Sequence, residues 1–313
     1  MTEEPLLCAQ GLTRDYGPHR AVADIDMSVA AGEVLGLLGA NGAGKTTILR
    51  MLAGTLAPSA GHVSIAGHDL DRAARRAKQH LGYLPERVPV YPELTVDEYL
   101  AFAARLHGIP RAERRDAIAR AVAETGLAPV RRRLIGHLSK GYAQRAGIAQ
   151  AIVHRPDVLI LDEPTAGLDP HQLAGVRLLI QQLAERHVVI LSSHMLSEIQ
   201  AVATRVMIVA GGRLVLDRPL ARMADDDDWF EAGFANDPGE TALRALPDIA
   251  AVSAIGPGHW QLRSTPGRDI RIALAETAAQ QGWQLHTLTR RQTTLEQRFM
   301  ALTQAKTQAE APR

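Results

Sequence analysis

A chain of 313 residues, 46% hydrophobic and 22% charged, can bury a sizeable core and suggests one large domain with a smaller one after it. A formal net charge of +1 and an aromatic content of 4% leave neither a basic field nor a stacking platform for nucleic acid. The single cysteine, Cys8, excludes an intrachain disulfide, and no apolar run reaches the roughly 18–20 residues that span a bilayer, so a membrane role would need spans from another subunit.

The start, Met1 to Pro5, is acidic and followed by only a short apolar patch, which is not the pattern of a secretory signal. Residues 6–38 read as short strands separated by turns, among them Leu6 to Gln10, Ile25 to Ala30 and the apolar run Val34 to Leu38. Tyr16 lies in the turn-like stretch Arg14-Asp15-Tyr16-Gly17-Pro18. After Gly39 to Lys45 comes a helical run, Ile48 to Ala53, then a strand, His62 to Ile65, and a basic amphipathic helix, Leu70 to His80. Leu81 to Glu86 reads as a strand stopped by a proline and an acid. From Thr95 to about Val130 the pattern is helical, opened by a capping box of Thr95 and Glu98 and divided at Gly108-Ile109-Pro110. A further helix is predicted over Tyr142 to Val153.

The uninterrupted run Val158 to Leu161, ending in Asp162-Glu163, reads as a strand covered on both faces whose carboxyl end presents two acids. Helix and strand then alternate through Gln172 to Glu185, Val188 to Ser192, Met195 to Ala203 and Arg205 to Val209. Asp225 to Asp228 reads as a solvated boundary loop and hinge. Beyond it the pattern turns to a small α+β domain, with a ferredoxin-like arrangement suggested. Its helices are predicted near Glu240 to Leu246, Ile270 to Gln280 and Thr294 to Leu302. Its strands are predicted near Ala251 to Ile255, Trp260 to Arg263 and Trp283 to Leu288. Trp229, Phe230, Trp260 and Trp283 read as its packing residues, and the polar tail as disordered. The predicted boundaries are 5–224, 229–303 and 304–313.

Gly39-Ala40-Asn41-Gly42-Ala43-Gly44-Lys45-Thr46, followed by Thr47, meets the pattern G-x-x-x-x-G-K-[ST] at every fixed position, between a buried strand and a helix. Glycines there let backbone N–H groups curl round an anion at a positive helix end. Lys45 would hold the β- and γ-phosphates of a nucleotide and Thr46 would place its hydroxyl on Mg²⁺. A small-molecule kinase could use such a loop, but it has no need of the next motif.

Leu138-Ser139-Lys140-Gly141-Tyr142-Ala143-Gln144-Arg145 resembles the signature motif of ATP-binding cassette (ABC) ATPases, with Lys140 and Tyr142 where the commonest form has Gly and Gln. The resemblance implies an α/β fold: a P-loop NTPase cassette with a RecA-like core, an antiparallel β subdomain and a helical signature subdomain. It implies that Ser139 and Gly141 face the γ-phosphate bound by a second copy, so that a homodimer sandwiches two ATP molecules. Asp162 would bind Mg²⁺, Glu163 would be the catalytic base, and Asp169, in Pro164-Thr165-Ala166-Gly167-Leu168-Asp169, would cross the dimer interface. His194 resembles the family's switch histidine on the γ-phosphate, and Tyr16 sits where the family places a ring against adenine. Glu86 departs from the usual Gln; a carboxylate still offers Mg²⁺ an oxygen but adds charge and loses an amide donor.

Gly82 to Glu86 and Tyr91 to Val96 resemble a subgroup serving bacterial exporters, linked to gliding motility and copper-enzyme maturation. The resemblance covers about residues 6–220, and more weakly 229–313 through Thr294 to Phe299. It implies an ATPase subunit on the cytoplasmic face of the bacterial inner membrane, docked through Glu86 to Leu100 on a separate transmembrane permease, with no nucleic-acid partner. An importer subunit is the alternative, and a non-transport ABC ATPase the next. A translation ATPase would carry two cassettes, and a chromosome or repair ATPase would need a coiled coil between Thr47 and Leu138, where the interval is too short.

Overall fold

The computed structural model describes residues 5–223, 228–265 and 267–292. The chain divides into two compact units between Asp217 and Arg218. The first is built on two sheets. An antiparallel sheet contains β1 (Leu7–Tyr16), β2 (His19–Val29), β4 (Ala60–Ile65) and the short β5 (His68–Asp69), in the order β2-β1-β4-β5. The six-stranded sheet contains β3 (Val34–Leu38), β6 (Leu81–Leu84), β7 (Val158–Leu161), β8 (Val188–Ser193), β9 (Arg205–Ala210) and β10 (Arg213–Pro219), in the order β10-β9-β3-β8-β7-β6. Strands β9, β3, β8, β7 and β6 run parallel. The residues of β3, β7 and β8 are buried throughout, as expected of strands covered on both faces.

The helices of this unit are α1 (Lys45–Leu52), α2 (Ala74–Gln79), α3 (Val96–Leu106), α4 (Arg114–Glu124), α5 (Lys140–Ile152), α6 (Pro170–Ala184) and α7 (Leu196–Val202). The capping box at Thr95 is formed: its hydroxyl accepts from the Glu98 N–H, and the Glu98 carboxylate accepts from the Thr95 N–H at 2.8 Å. Helix α5 lies close on β6, because a Cβ on Gly82 would fall 2.2 Å from the Ala151 carbonyl oxygen. Helix α2 starts four residues later than its periodicity predicts. Asp69 explains the delay, since its carboxylate accepts from the Asp71 and Arg72 N–H groups and holds that stretch as a turn.

The second unit contains β11 (Asp228–Phe234), α8 (Gly239–Arg244), β12 (Ile249–Gly256), β13 (His259–Ser264), α9 (Arg271–Gln280) and β14 (Leu285–Gln292). The βαββαβ order and the sheet order β12-β13-β11-β14 are those of a ferredoxin-like fold. Central strand β11 has no counterpart among the sequence-predicted elements. Its alternation is real, with Phe230, Ala232 and Phe234 buried in a core with Leu243, Trp260, Leu262 and Leu274. Trp229 points to the opposite face, beside Arg263 at 5.7 Å, so it is not one of the core aromatics. Asp228 opens β11 rather than lying in a loop. The rest of the proposed hinge (225–227), the predicted helix Thr294 to Leu302 and the tail 304–313 lie outside the described residues.

Candidate active site

The carboxyl ends of β3, β6, β7 and β8 converge, as parallel strands do where ligands gather in α/β sheets. Between β3 and α1 the loop Gly39 to Gly44 turns sharply. Gly44, before the first residue of α1, has φ of 107°, and a Cβ there would meet the Ala21 carbonyl oxygen at 2.8 Å. Gly42 has φ of 80° and open space around it, so backbone can approach a ligand there. A Cβ on Gly39 would fall 2.5 Å from the Val209 carbonyl oxygen. The loop borders an open cavity of about 530 Å³, together with Tyr16, Asn41, Thr47, Glu86, Glu163 and His194.

Lys45 is 6% exposed and folds back over its own loop, its Nζ donating to the carbonyls of Gly39 at 2.8 Å and Ala40 at 3.2 Å. The same nitrogen lies 3.6 Å from Glu163 Oε1. The other Glu163 oxygen is 2.9 Å from His194 Nδ1. In this contact the ring Nδ1–H is the donor and the carboxylate oxygen the acceptor. Glu163 has a left-handed backbone, φ 46°, which costs an L residue about 1–2 kcal/mol. Such strain gathers at functional positions and is held here by surrounding bonds.

Asp162 is fully buried. Its Oδ1 accepts from the Ser192 hydroxyl at 2.7 Å and the Thr46 hydroxyl at 3.3 Å, while Oδ2 is buried without a partner. Burial pushes the Asp162 carboxyl above its usual range; the Ser192 and Thr46 hydrogen bonds oppose this, and the charges of Glu86 and Glu163 add to it. Ser192 has a second task, since its Oγ also accepts the Glu163 N–H at 2.8 Å. One hydroxyl thereby fixes both acids, a role that the sequence reading missed. The available signal is a serine pair closing an otherwise apolar buried strand.

Tyr16 is the last residue of β1 rather than part of a turn, and Arg14 covers one face of its ring at 4.8 Å. The other predicted residues lie elsewhere. Ser139 caps α5 by accepting the Tyr142 N–H at 3.4 Å, and Asp169 caps α6 by accepting the Gln172 N–H at 2.8 Å. A Cβ on Gly141 would fall 2.9 Å from Gln172 Cδ, so the first turns of α5 and α6 pack closely. Ser139 and Gly141 border a separate cavity of about 380 Å³ with Arg145, His171 and Gln172, none of which lines the phosphate-loop cavity. Within one chain, the strand-to-helix loop with its acids and the capped start of α5 are therefore separate corners.

Comparison with known proteins identifies the family. Residues 22–166 match the family model described as ABC transporter. The chain is 39% identical over 210 residues to the bacitracin transport ATP-binding protein BcrA of Bacillus licheniformis, covering 66% of this chain and 68% of that protein. It is 39% identical over 245 residues to the uncharacterized ABC transporter ATP-binding protein YdbJ of Bacillus subtilis, covering 78% of each. Among solved structures, cbiO1 of Clostridium perfringens, part of the ABC transporter complex cbiONQ, superposes with a TM-score of 0.62 at 27% identity, over 69% of this chain and 89% of that one. This chain belongs to the ATP-binding subunits of bacterial ABC transporters, which bind and hydrolyse ATP.

Proposed function

We propose that the chain powers a bacterial exporter, closing as a homodimer on two ATP molecules and opening after hydrolysis. The observation that carries the dimer is the separation of the Ser139–Gly141 corner from the phosphate-loop cavity within one chain. Each corner is completed by the facing one of a second copy, with Asp169 at the seam. Export rather than import rests on the subgroup pattern at Gly82 to Glu86 and Tyr91 to Val96. The test is the mass of the Glu163→Gln variant in solution. ATP is expected to convert monomer into dimer and ADP to reverse it; a mass unchanged by ATP overturns the reading.

In the proposed mechanism, the N–H groups of residues 41–46 cradle the phosphates, Lys45 leaves its loop carbonyls for the β- and γ-phosphates, and Tyr16 offers its uncovered face to adenine. The Glu163 carboxylate takes a proton from the attacking water as the new oxygen–phosphorus bond forms and the bond to ADP breaks. His194 holds that carboxylate through Nδ1 and senses the γ-phosphate. The donor set fits Mg²⁺: the unpartnered Asp162 oxygen, the Thr46 hydroxyl beside it and Glu86 on the same cavity are all hard oxygen donors. Among the described residues no group of three His, Cys, Asp or Glu side chains could hold a metal by itself, so phosphate oxygens and water would complete the shell. Bound there, Mg²⁺ would neutralise phosphate charge.

Among the described residues no helix is long and apolar enough to cross a membrane. On the resemblance to exporter subunits, we place the subunit peripherally at the cytoplasmic face of the inner membrane, through a separate permease. The loop from Glu86 to α3 supports docking there. Tyr91 is 45% exposed, its ring set edge-on to Phe102 at 5.5 Å, and the Tyr99 hydroxyl pins the loop by donating to the Pro89 carbonyl at 3.0 Å. Glu86 borders both the nucleotide cavity and a neighbouring cavity with Arg50, Tyr83 and Arg87. Glu86→Ala is expected to spare ATP binding while uncoupling transport, and Glu86→Gln to be milder. Transport and nucleotide affinity in reconstituted vesicles check this; equal, complete loss of ATP binding in both variants contradicts it.

A further inference from the structure

We infer that Glu198 is a positioning residue for hydrolysis, its buried carboxylate tying the turn that carries Glu163 to the turn that carries His194. The inference rests on the roles given above to those two residues. Glu198 lies in the first turn of α7 and is 5% exposed. Its Oε2 accepts from the hydroxyl of Thr165, two residues beyond Glu163, and from the hydroxyl of Ser193, adjacent to His194, at 3.2 Å. Thr165 and Ser193 are themselves buried. Ser193 Oγ also accepts the Met195 N–H at 3.0 Å, which closes the turn around His194.

These bonds complete a ring. On the cavity side Glu163 meets His194 at 2.9 Å; behind it Thr165, Glu198 and Ser193 join the same two segments. The β7–β8 ladder and the Glu163 N–H bond to Ser192 align the strand ends; beyond them, the Glu198 strut ties the turn after Glu163 to the turn around His194 on the side away from the cavity. An acid in the first turn of α7 would also suit the helix dipole, but an exposed one would serve that purpose. Burying a carboxylate carries a desolvation cost, which a purely packing role would avoid with an apolar side chain. The two hydroxyl donors explain what the carboxylate does there.

The test compares steady-state ATPase activity and Mg-ATP affinity in full-length Glu198→Ala, Glu198→Gln and Thr165→Val, with Glu163→Gln alongside. Glu198→Ala is expected to lower kcat about 10–100-fold, the scale of a misplaced catalytic group. Its Kd for Mg-ATP is expected to stay within about twofold, since the phosphate loop is untouched. Glu198→Gln is expected to restore most of kcat, because one amide oxygen can still accept both hydroxyls. Thr165→Val, which removes one strut bond, is expected to fall between. Unchanged kcat in Glu198→Ala overturns the inference, as does a loss of affinity that tracks the loss of turnover, or failure of glutamine to rescue. If the alanine variant does not fold, wild-type kcat in Thr165→Val overturns it equally. Full turnover in Glu163→Gln would instead defeat the underlying assignment of the base, a result separable from any behaviour of Glu198.

Discussion

Glu163→Gln is expected to reduce ATP turnover by about 10²–10⁴-fold, the range that a positioned general base supplies, while Mg-ATP still binds. The substitution keeps the size and planarity of the side chain, and the amide oxygen can still accept from His194 Nδ1 where the carboxylate does at 2.9 Å. The Glu163 N–H keeps its bond to Ser192, so Asp162 keeps its orientation. What disappears is the basic site for the water proton and the charge facing Lys45 at 3.6 Å. Freed of that attraction, Lys45 has one competitor fewer when phosphate arrives, so affinity is expected to hold or rise. Phosphate release under saturating Mg-ATP, with binding measured separately, decides the matter. Near-normal release would move the base to another group.

Lys45→Ala acts on the opposite term. Its ammonium is expected to make charge-assisted contacts to two phosphates, each worth about 1.5–3 kcal/mol, so ATP affinity should fall about 100-fold or more. The loss appears in Kd, where that of Glu163→Gln appears in kcat. Without nucleotide the alanine variant also leaves the Gly39 and Ala40 carbonyls without their Lys45 donor, so a modest drop in thermal stability should accompany the lost binding. Titration with a fluorescent ATP analogue checks the affinity; a Kd within a few-fold of the parent, on the order of 1 kcal/mol or less, would show that the lysine stays on its loop when nucleotide binds.

The parts of the fold that could be read in advance are those where one physical signal dominates. Val34 to Leu38 and Val158 to Leu161 are continuous apolar runs because both faces of each strand are covered, and the capping box names the start of α3. Strand β11 escaped because Ala232 and Gly233 dilute its alternation and the acids before it mimic a loop. Residues lining the phosphate-loop cavity could be named in advance from its loop and from Glu163. The supports could not. Ser192 and Glu198 matter through partners 30 and 33 residues away, Asp162 and Thr165, and no spacing rule connects them. Ser139 and Asp169 were legible as residues of a motif, yet their helix-capping bonds emerge only from the backbone geometry.

The left-handed backbone at Glu163 sets a hazard for anyone improving this chain in the laboratory. A library selected for heat tolerance alone would be drawn towards glycine at position 163, which relieves about 1 kcal/mol of strain and discards the carboxylate. On the catalytic role proposed for Glu163, survivors would look improved in a melting assay while their ATP turnover had gone. Arg155 and Gln284 share the same backbone region, at φ of 56° and 52°, and both side chains are exposed and distant in role from the cavity. Glycine at those two positions draws on the same reserve of strain and leaves the motor intact.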